Sequence, residues 1–154
     1  MIRVLFVCLG NICRSPMAEF MLKDRVHKEG LSDSFFVSSV GTSDEEEGNP
    51  VYPPARAELK KRGIECAGKS ARQMRAEDYS RFDYILAMEQ RNVRAVLRIT
   101  GGDPQNKISR LLDFSPCARD IADPWYTGDF ARTAEDIAEG IDCFLSRLHD
   151  LGKI

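Results

Sequence analysis

Histidine is scarce in this chain, with only His27 and His149 among 154 residues, each inside a stretch of helical periodicity. There is no Cys-x-x-Cys pair and no histidine cluster, so the spacings of a structural zinc site are missing and neither a metal nor another cofactor is expected. The five cysteines are odd in number and, apart from Cys8 and Cys13, widely separated, which reads as free thiols and not a disulfide framework. Long hydrophobic runs are missing as well. The N-terminal run from Val4 to Leu9 is too short for a secretory core or a membrane span, and a cytoplasmic location is expected. Excess charge of either sign is also absent, since 22 Lys and Arg against 24 Asp and Glu leave a net charge of −2. That balance supplies no general attraction to nucleic acid or to anionic membrane. Any affinity for anions has to be built locally.

Such a local site is visible where the run Val4-Leu5-Phe6-Val7-Cys8-Leu9 breaks into Gly10-Asn11-Ile12-Cys13-Arg14-Ser15-Pro16. Met17 to Leu22 then has helical apolar spacing, so the order is strand, loop, helix. Backbone N–H groups of such a loop and of the first helical turn converge on one point and bind an anion. The expected phosphate-binding segment is Leu9, Gly10, Asn11, Ile12, Cys13, Arg14 and Ser15. Two groups make the site reactive as well as anionophilic. The inward N–H donors and Arg14 favour the thiolate of Cys8, and Arg14 offers a planar fork for two phosphoryl oxygens. Ser15 can donate its hydroxyl to the sulfur. Asn11 tolerates a left-handed backbone and can hold the loop's shape. Taken alone, Cys8 could still be a small buried hydrophobe at the end of a strand.

The remaining chain alternates strands and helices. Pro16 to about Glu29 reads as an amphipathic helix, with Met17, Phe20, Met21 and Val26 on one side and Glu19, Lys23, Asp24, Lys28 and Glu29 mostly on the other. Phe35–Gly41 reads as a strand, Thr42–Pro54 as loop, Ala55–Arg62 as a helix and Ala67–Gln73 as a linking segment. Asp83–Met88 is a third strand, Glu89 to about Ile99 a helix, Ile108–Asp113 a fourth strand and Thr133–Leu148 the last helix. The pattern predicts an α/β fold over one domain, 1–154: an open four-stranded parallel sheet with helices on both faces, its ligand at the C-terminal strand ends. Cys8 sits at such an end.

The run from Val4 through Glu19 resembles the signature of the low-molecular-weight protein tyrosine phosphatases. Ala71-Arg72-Gln73, Phe82 to Met88 and Asp123-Pro124-Trp125-Tyr126 match the same family in the same order, so the resemblance covers essentially the full length. It implies hydrolysis of phosphotyrosine in a protein or peptide through a phosphocysteine intermediate, with inorganic phosphate as product and Cys8, Arg14 and Asp123 as catalytic residues. By itself Asp123-Pro124 reads as a turn initiator. The resemblance makes it the acid that protonates the leaving phenoxide, in an apolar and aromatic setting that would favour the protonated form.

The resemblance also places Glu45, Trp125 and Tyr126 in the substrate cleft. Read without it, Asp44-Glu45-Glu46-Glu47 is a solvated turn and the two aromatics are core caps. Relatives frequently carry an aromatic where Glu45 stands, and some have a histidine where this chain has Lys69. Arginine phosphatases of the family carry a threonine at the place of Ile12, whose apolar surface favours phosphotyrosine over phosphoarginine. Arsenate reductases of related architecture need two further cysteines close together, and Cys66, Cys117 and Cys143 are far apart. A phosphocysteine carrier would need neither Arg14-Ser15 nor a remote acid, and a binding module would not need a nucleophile. Cys13, either core filler or a redox partner, is expected to form a protective disulfide with oxidised Cys8.

Overall fold

In the computed structural model, which describes residues 1–154, four strands form one parallel sheet in the order β2-β1-β3-β4. The strands are β1 (Ile2–Cys8), β2 (Phe35–Gly41), β3 (Tyr84–Ala87) and β4 (Ile108–Arg110). β1 occupies the interior because its residues from Val4 to Cys8 are all apolar and all buried, as a parallel strand covered on both faces requires. Val4, Phe6 and Cys8 face one apolar layer while Leu5 and Val7 face the other, following the two-residue period of a strand.

The first layer contains α1 (Arg14–Lys28), α2 (Pro53–Lys61) and α6 (Phe130–Asp150), which pack on one another. On the opposite face, α4 (Gln90–Thr100) sends Val96 to Leu5, Val7 and Ile85. Single-turn helices α3 (Asp78–Arg81) and α5 (Pro124–Thr127) complete the set. No helix is long and apolar enough to cross a membrane.

The chain crosses from β1 to β2 on one side and then from β2 to β3 on the other side of β1, so the C-terminal end of β1 is the sheet's switch point, where a crevice opens. The two edges of that crevice are close. Thr42 N–H donates to the Cys8 carbonyl at 2.9 Å and Ser43 N–H to that of Leu9 at 3.0 Å. Gly41 makes this approach possible, because a Cβ there would lie 2.8 Å from the Leu9 oxygen.

Several boundaries differ from the sequence expectation. β4 ends at Arg110, and Leu111–Phe114 forms a 3-10 turn instead of more strand. Leu111 leaves the sheet to pack against α6 at Gly140, where a Cβ would fall 2.4 Å from its Cγ. α1 begins at Arg14, two residues early, because the Cys13 carbonyl already accepts from Met17 N–H at 3.0 Å. α2 starts on Pro53 and Pro54, residues expected to be loop but well suited to a first helical turn. α6 gains residues at both ends, with Asp129 capping it by accepting from Arg132 N–H at 2.9 Å. α3 and α5 were too short to leave a periodic signal. Glu19, expected on the solvent side of α1, is buried and belongs to the network beneath the site.

Candidate active site

The loop between β1 and α1 turns on Asn11, whose φ of 60° is the left-handed conformation an asparagine tolerates. Its side chain is tied down in three directions: Nδ2 donates to Ser15 Oγ at 2.8 Å and Ser39 Oγ at 2.9 Å, and Oδ1 accepts from Arg72 N–H at 3.0 Å. This turn aims the Asn11 N–H at Cys8 Sγ, 3.3 Å away. Ser15 Oγ stands 3.0 Å from the same sulfur. Since the Asn11 amide already donates to Ser15, the serine hydrogen is free to serve a thiolate; the alternative acceptor, Val40 O, is at 3.3 Å. Asn11 and Ser15 therefore sit behind the loop, supporting it from below.

Under them lies a second tier. Ser39 Oγ donates to Glu19 Oε1 at 2.6 Å, and Lys69 Nζ is 3.2 Å from that oxygen while donating to the Ser39 carbonyl at 2.8 Å. Lys23 reaches the other Glu19 oxygen at 2.5 Å. Burial pulls the Lys69 ammonium below its ordinary value, and the Glu19 carboxylate beside it works in the opposite direction. Glu19 is buried because these partners satisfy both oxygens, and the sequence reading missed it by treating helical position as enough.

Arg14 is also buried, with its guanidinium fixed on one edge. Nη1 donates to the Ile121 carbonyl at 2.9 Å, and Nη2 lies 3.5 Å from Glu89 Oε1 and 3.3 Å from Asp123 Oδ2. Glu89 and Ile121 went unnoticed in the sequence. Glu89 had a usable signal, since it lies two residues past the end of β3, at the same end of the sheet as Cys8. Ile121 contributes only a carbonyl, which leaves none.

The surroundings of Asp123 differ from the apolar pocket expected. Its carboxylate meets Arg14 on one oxygen and accepts from Trp125 N–H at 3.0 Å on the other, capping α5. The neighbouring aromatics turn outward, with Trp125 53% and Tyr126 79% exposed, because Asp123 is held by polar groups and the rings are left as walls. The Trp125 ring leans on Tyr52 at 4.9 Å between centroids, and Tyr52 on Phe130 at 6.1 Å, a stack the sequence did not reveal.

These elements enclose a cleft of about 170 Å³ lined by Cys8, Leu9, Gly10, Ile12, Cys13, Arg14, Glu45, Glu46, Asp123, Trp125 and Tyr126. Glu46 is an addition to the expected set; it accepts from Asn49 Nδ2 at 2.7 Å and covers Gly10. The Cys13 thiol is pushed up to about 12, first by burial and then by the negative charges of Cys8, Asp123 and Glu46, against the lowering effect of Arg14. No group of three or more His, Cys, Asp and Glu side chains is placed to hold a metal ion. Chemically the cleft is an anion bowl, with a sulfur at its base, a guanidinium on its wall and a carboxyl at its rim.

Residues 3–153 match the low molecular weight phosphotyrosine protein phosphatase family. The chain belongs to this family. It is 39% identical over 150 residues to the low molecular weight protein-tyrosine-phosphatase YfkJ of Bacillus subtilis, covering 96% of each chain. The crystal structure of YfkJ superposes with a TM-score of 0.94 at 38% identity, over 97% of this chain and 96% of that one. A Drosophila arginine phosphatase, DARP, shares the architecture at a TM-score of 0.85 and 31% identity, over 94% of this chain and 96% of the other. The proteins similar to this chain thus include ones named for two phosphoryl linkages.

Proposed function

We propose that residues 1–154 act as one catalytic unit that hydrolyses phosphotyrosine in proteins or peptides through a phosphocysteine intermediate. The observation that carries this reading is the convergence on Cys8 Sγ of the Asn11 N–H and the Ser15 hydroxyl, beside a buried Arg14 that pairs with Asp123. In the first step the Cys8 thiolate attacks phosphorus; the P–S bond forms as the P–O bond to the aryl group breaks, and Asp123 gives its proton to the departing oxygen. The N–H groups of the loop and the Arg14 fork hold the three remaining oxygens as they become equatorial. In the second step a water attacks phosphorus, Asp123 takes its proton, and the P–S bond breaks to release inorganic phosphate. The Ser15 hydroxyl stabilises the returning thiolate.

The cleft walls support an aromatic leaving group, since Trp125 and Tyr126 flank Asp123 and Ile12 presents apolar surface. Phosphoarginine is the rival to test, because of the likeness to an arginine phosphatase. An arsenate-reductase reading draws no support from the thiols: Cys66, Cys117 and Cys143 all lie outside the cleft lining. Five free thiols and a phosphoprotein substrate go with a cytoplasmic location. The deciding measurement is kcat/KM on matched phosphotyrosine and phosphoarginine peptides, with Cys8→Ser as control. A higher value on phosphoarginine overturns the substrate assignment, and activity retained in Cys8→Ser overturns the mechanism.

A further inference from the structure

Asp123 is delivered by a segment, residues 115–122, that contains neither helix nor strand. Its position therefore depends on side-chain and single backbone anchors. One set holds it to the junction of β3 and α4: Ile121 N–H donates to Met88 O at 2.9 Å, and the Asp120 carboxylate accepts from Gln90 N–H at 2.9 Å. The other set holds it to α6 and centres on Arg119, four residues before Asp123.

The Arg119 fork closes on two carboxylates one helical turn apart. Nη1 donates to Glu139 Oε2 at 2.9 Å, while Nη2 donates to Glu139 Oε1 at 3.1 Å and Asp136 Oδ1 at 2.9 Å. Nη1 also donates to the Cys117 carbonyl at 2.8 Å, so the same group locks the segment's own backbone. Ser115 adds a bond to Glu139 Oε2 at 2.6 Å and accepts from Cys117 N–H at 3.0 Å. An isolated surface ion pair contributes little, whereas a bidentate fork inside a network defines geometry. The Arg119 guanidinium, followed by the Ser115 hydroxyl, holds the Glu139 carboxyl down at about 2, so the Arg119–Glu139 pair stays charged near neutrality.

We propose that Arg119 is a positioning residue for the general acid, setting through Glu139 and Asp136 where Asp123 stands when the leaving oxygen departs. This inference rests on Asp123 being the acid. A displaced acid hurts most where protonation matters most, on a basic leaving oxygen, and a misplacement of about 1 Å can cost on the order of a hundredfold.

The test compares kcat/KM for phenyl phosphate, which has a basic leaving group, with p-nitrophenyl phosphate, which does not, in the parent, Asp123→Ala, Arg119→Met and the double variant. Arg119→Met should lower the phenyl to p-nitrophenyl ratio by about tenfold. Arg119→Lys and Glu139→Gln should give smaller shifts in the same direction. Adding Arg119→Met to Asp123→Ala should change the ratio no further. Equal losses on both substrates, as a less folded enzyme would show, overturn the positioning role, as does an undiminished effect in the Asp123→Ala background. If Asp123→Ala shifts the ratio and neither Arg119→Met nor Glu139→Gln does, only the positioning role falls. If Asp123→Ala leaves the ratio unchanged, Asp123 is not the acid and both readings fall.

Discussion

Asp123 Oδ2 and Arg14 Nη2 pair at 3.3 Å across the cleft, joining the rim carboxylate to the guanidinium that the phosphoryl oxygens would also use in the proposed mechanism. The pair makes a bound anion and Asp123 competitors for one fork. On the proposed mechanism, phosphate binding should loosen Asp123 from Arg14 and free the carboxyl to turn toward the leaving oxygen.

Asp123→Asn should accordingly have two opposite effects. Turnover of phenyl phosphate should fall by roughly two to four orders of magnitude, the range that general acid catalysis contributes. Inhibition by inorganic phosphate should strengthen, because the competing negative charge beside Arg14 is gone. A steady-state inhibition series checks both, and unchanged or weaker phosphate inhibition would show that the pair does not compete.

Asn11→Ala should damage both stability and binding. It leaves the Arg72 N–H without its acceptor and puts a Cβ-bearing residue with no compensating side-chain bonds at a φ of 60°. Roughly 2–4 kcal/mol of destabilisation is expected from the orphaned donor and the left-handed backbone together. Denaturant unfolding measures this, and KM for aryl phosphates should rise as the loop loses its shape. Glycine at this position restores the backbone tolerance but not the bonds, so its loss should be intermediate.

Glu45 and Glu46 bring negative charge to the mouth of a cleft that admits a dianion. Peptides with Lys or Arg beside the phosphotyrosine should show lower KM than peptides with Glu there. Glu45→Gln should shrink that difference by a few-fold, consistent with about 0.5–1 kcal/mol for an exposed charge, and added salt should do the same. A preference that persists unchanged in Glu45→Gln at low salt would remove Glu45 from the peptide's path.

Cys13 should be slow to alkylate. With its thiol pushed up to about 12, the neutral form dominates near neutrality, and its labelling should rise only as pH climbs toward that value. Burial is the first cause of the upward push, and peroxide is expected to oxidise Cys8 to a sulfenic acid. If Cys13 protects the site, its sulfur should displace the sulfenic oxygen as water and close a Cys8–Cys13 disulfide that a dithiol can reduce. Cys13→Ser should keep most basal activity but recover poorly after peroxide. Full recovery in that variant, or no Cys8–Cys13 peptide by mass spectrometry after mild oxidation, contradicts the protective role.

The alternation of strands and helices that implies a parallel sheet, and the strand-loop-helix unit at Cys8, were legible because their signals are local. A contiguous apolar stretch marks β1, and the spacing from Cys8 to Arg14 marks the loop. Helix ends were less legible, since Asp129 capping α6 and the Cys13 carbonyl starting α1 are hydrogen bonds and not periodicities. Glu19 shows where periodicity misleads: its place on α1 reads as solvent-facing, and only Ser39, Lys69 and Lys23 arriving from other turns and segments make its burial tolerable.

The amino-acid order alone determined which residues could perform the chemistry, because a thiol, a guanidinium and loop N–H groups within eight consecutive positions can meet nowhere but around one point. Tertiary structure decided how those groups are held and what surrounds them. Arg14 is oriented by Glu89 and Ile121, 75 and 107 positions away, and Asp123 meets that same guanidinium where an apolar pocket had been expected. Trp125 becomes a cleft wall because Tyr52 stands behind it. Each of these contacts is made by chain folding back on itself, and a local window of sequence carries no record of which distant segment will be brought alongside.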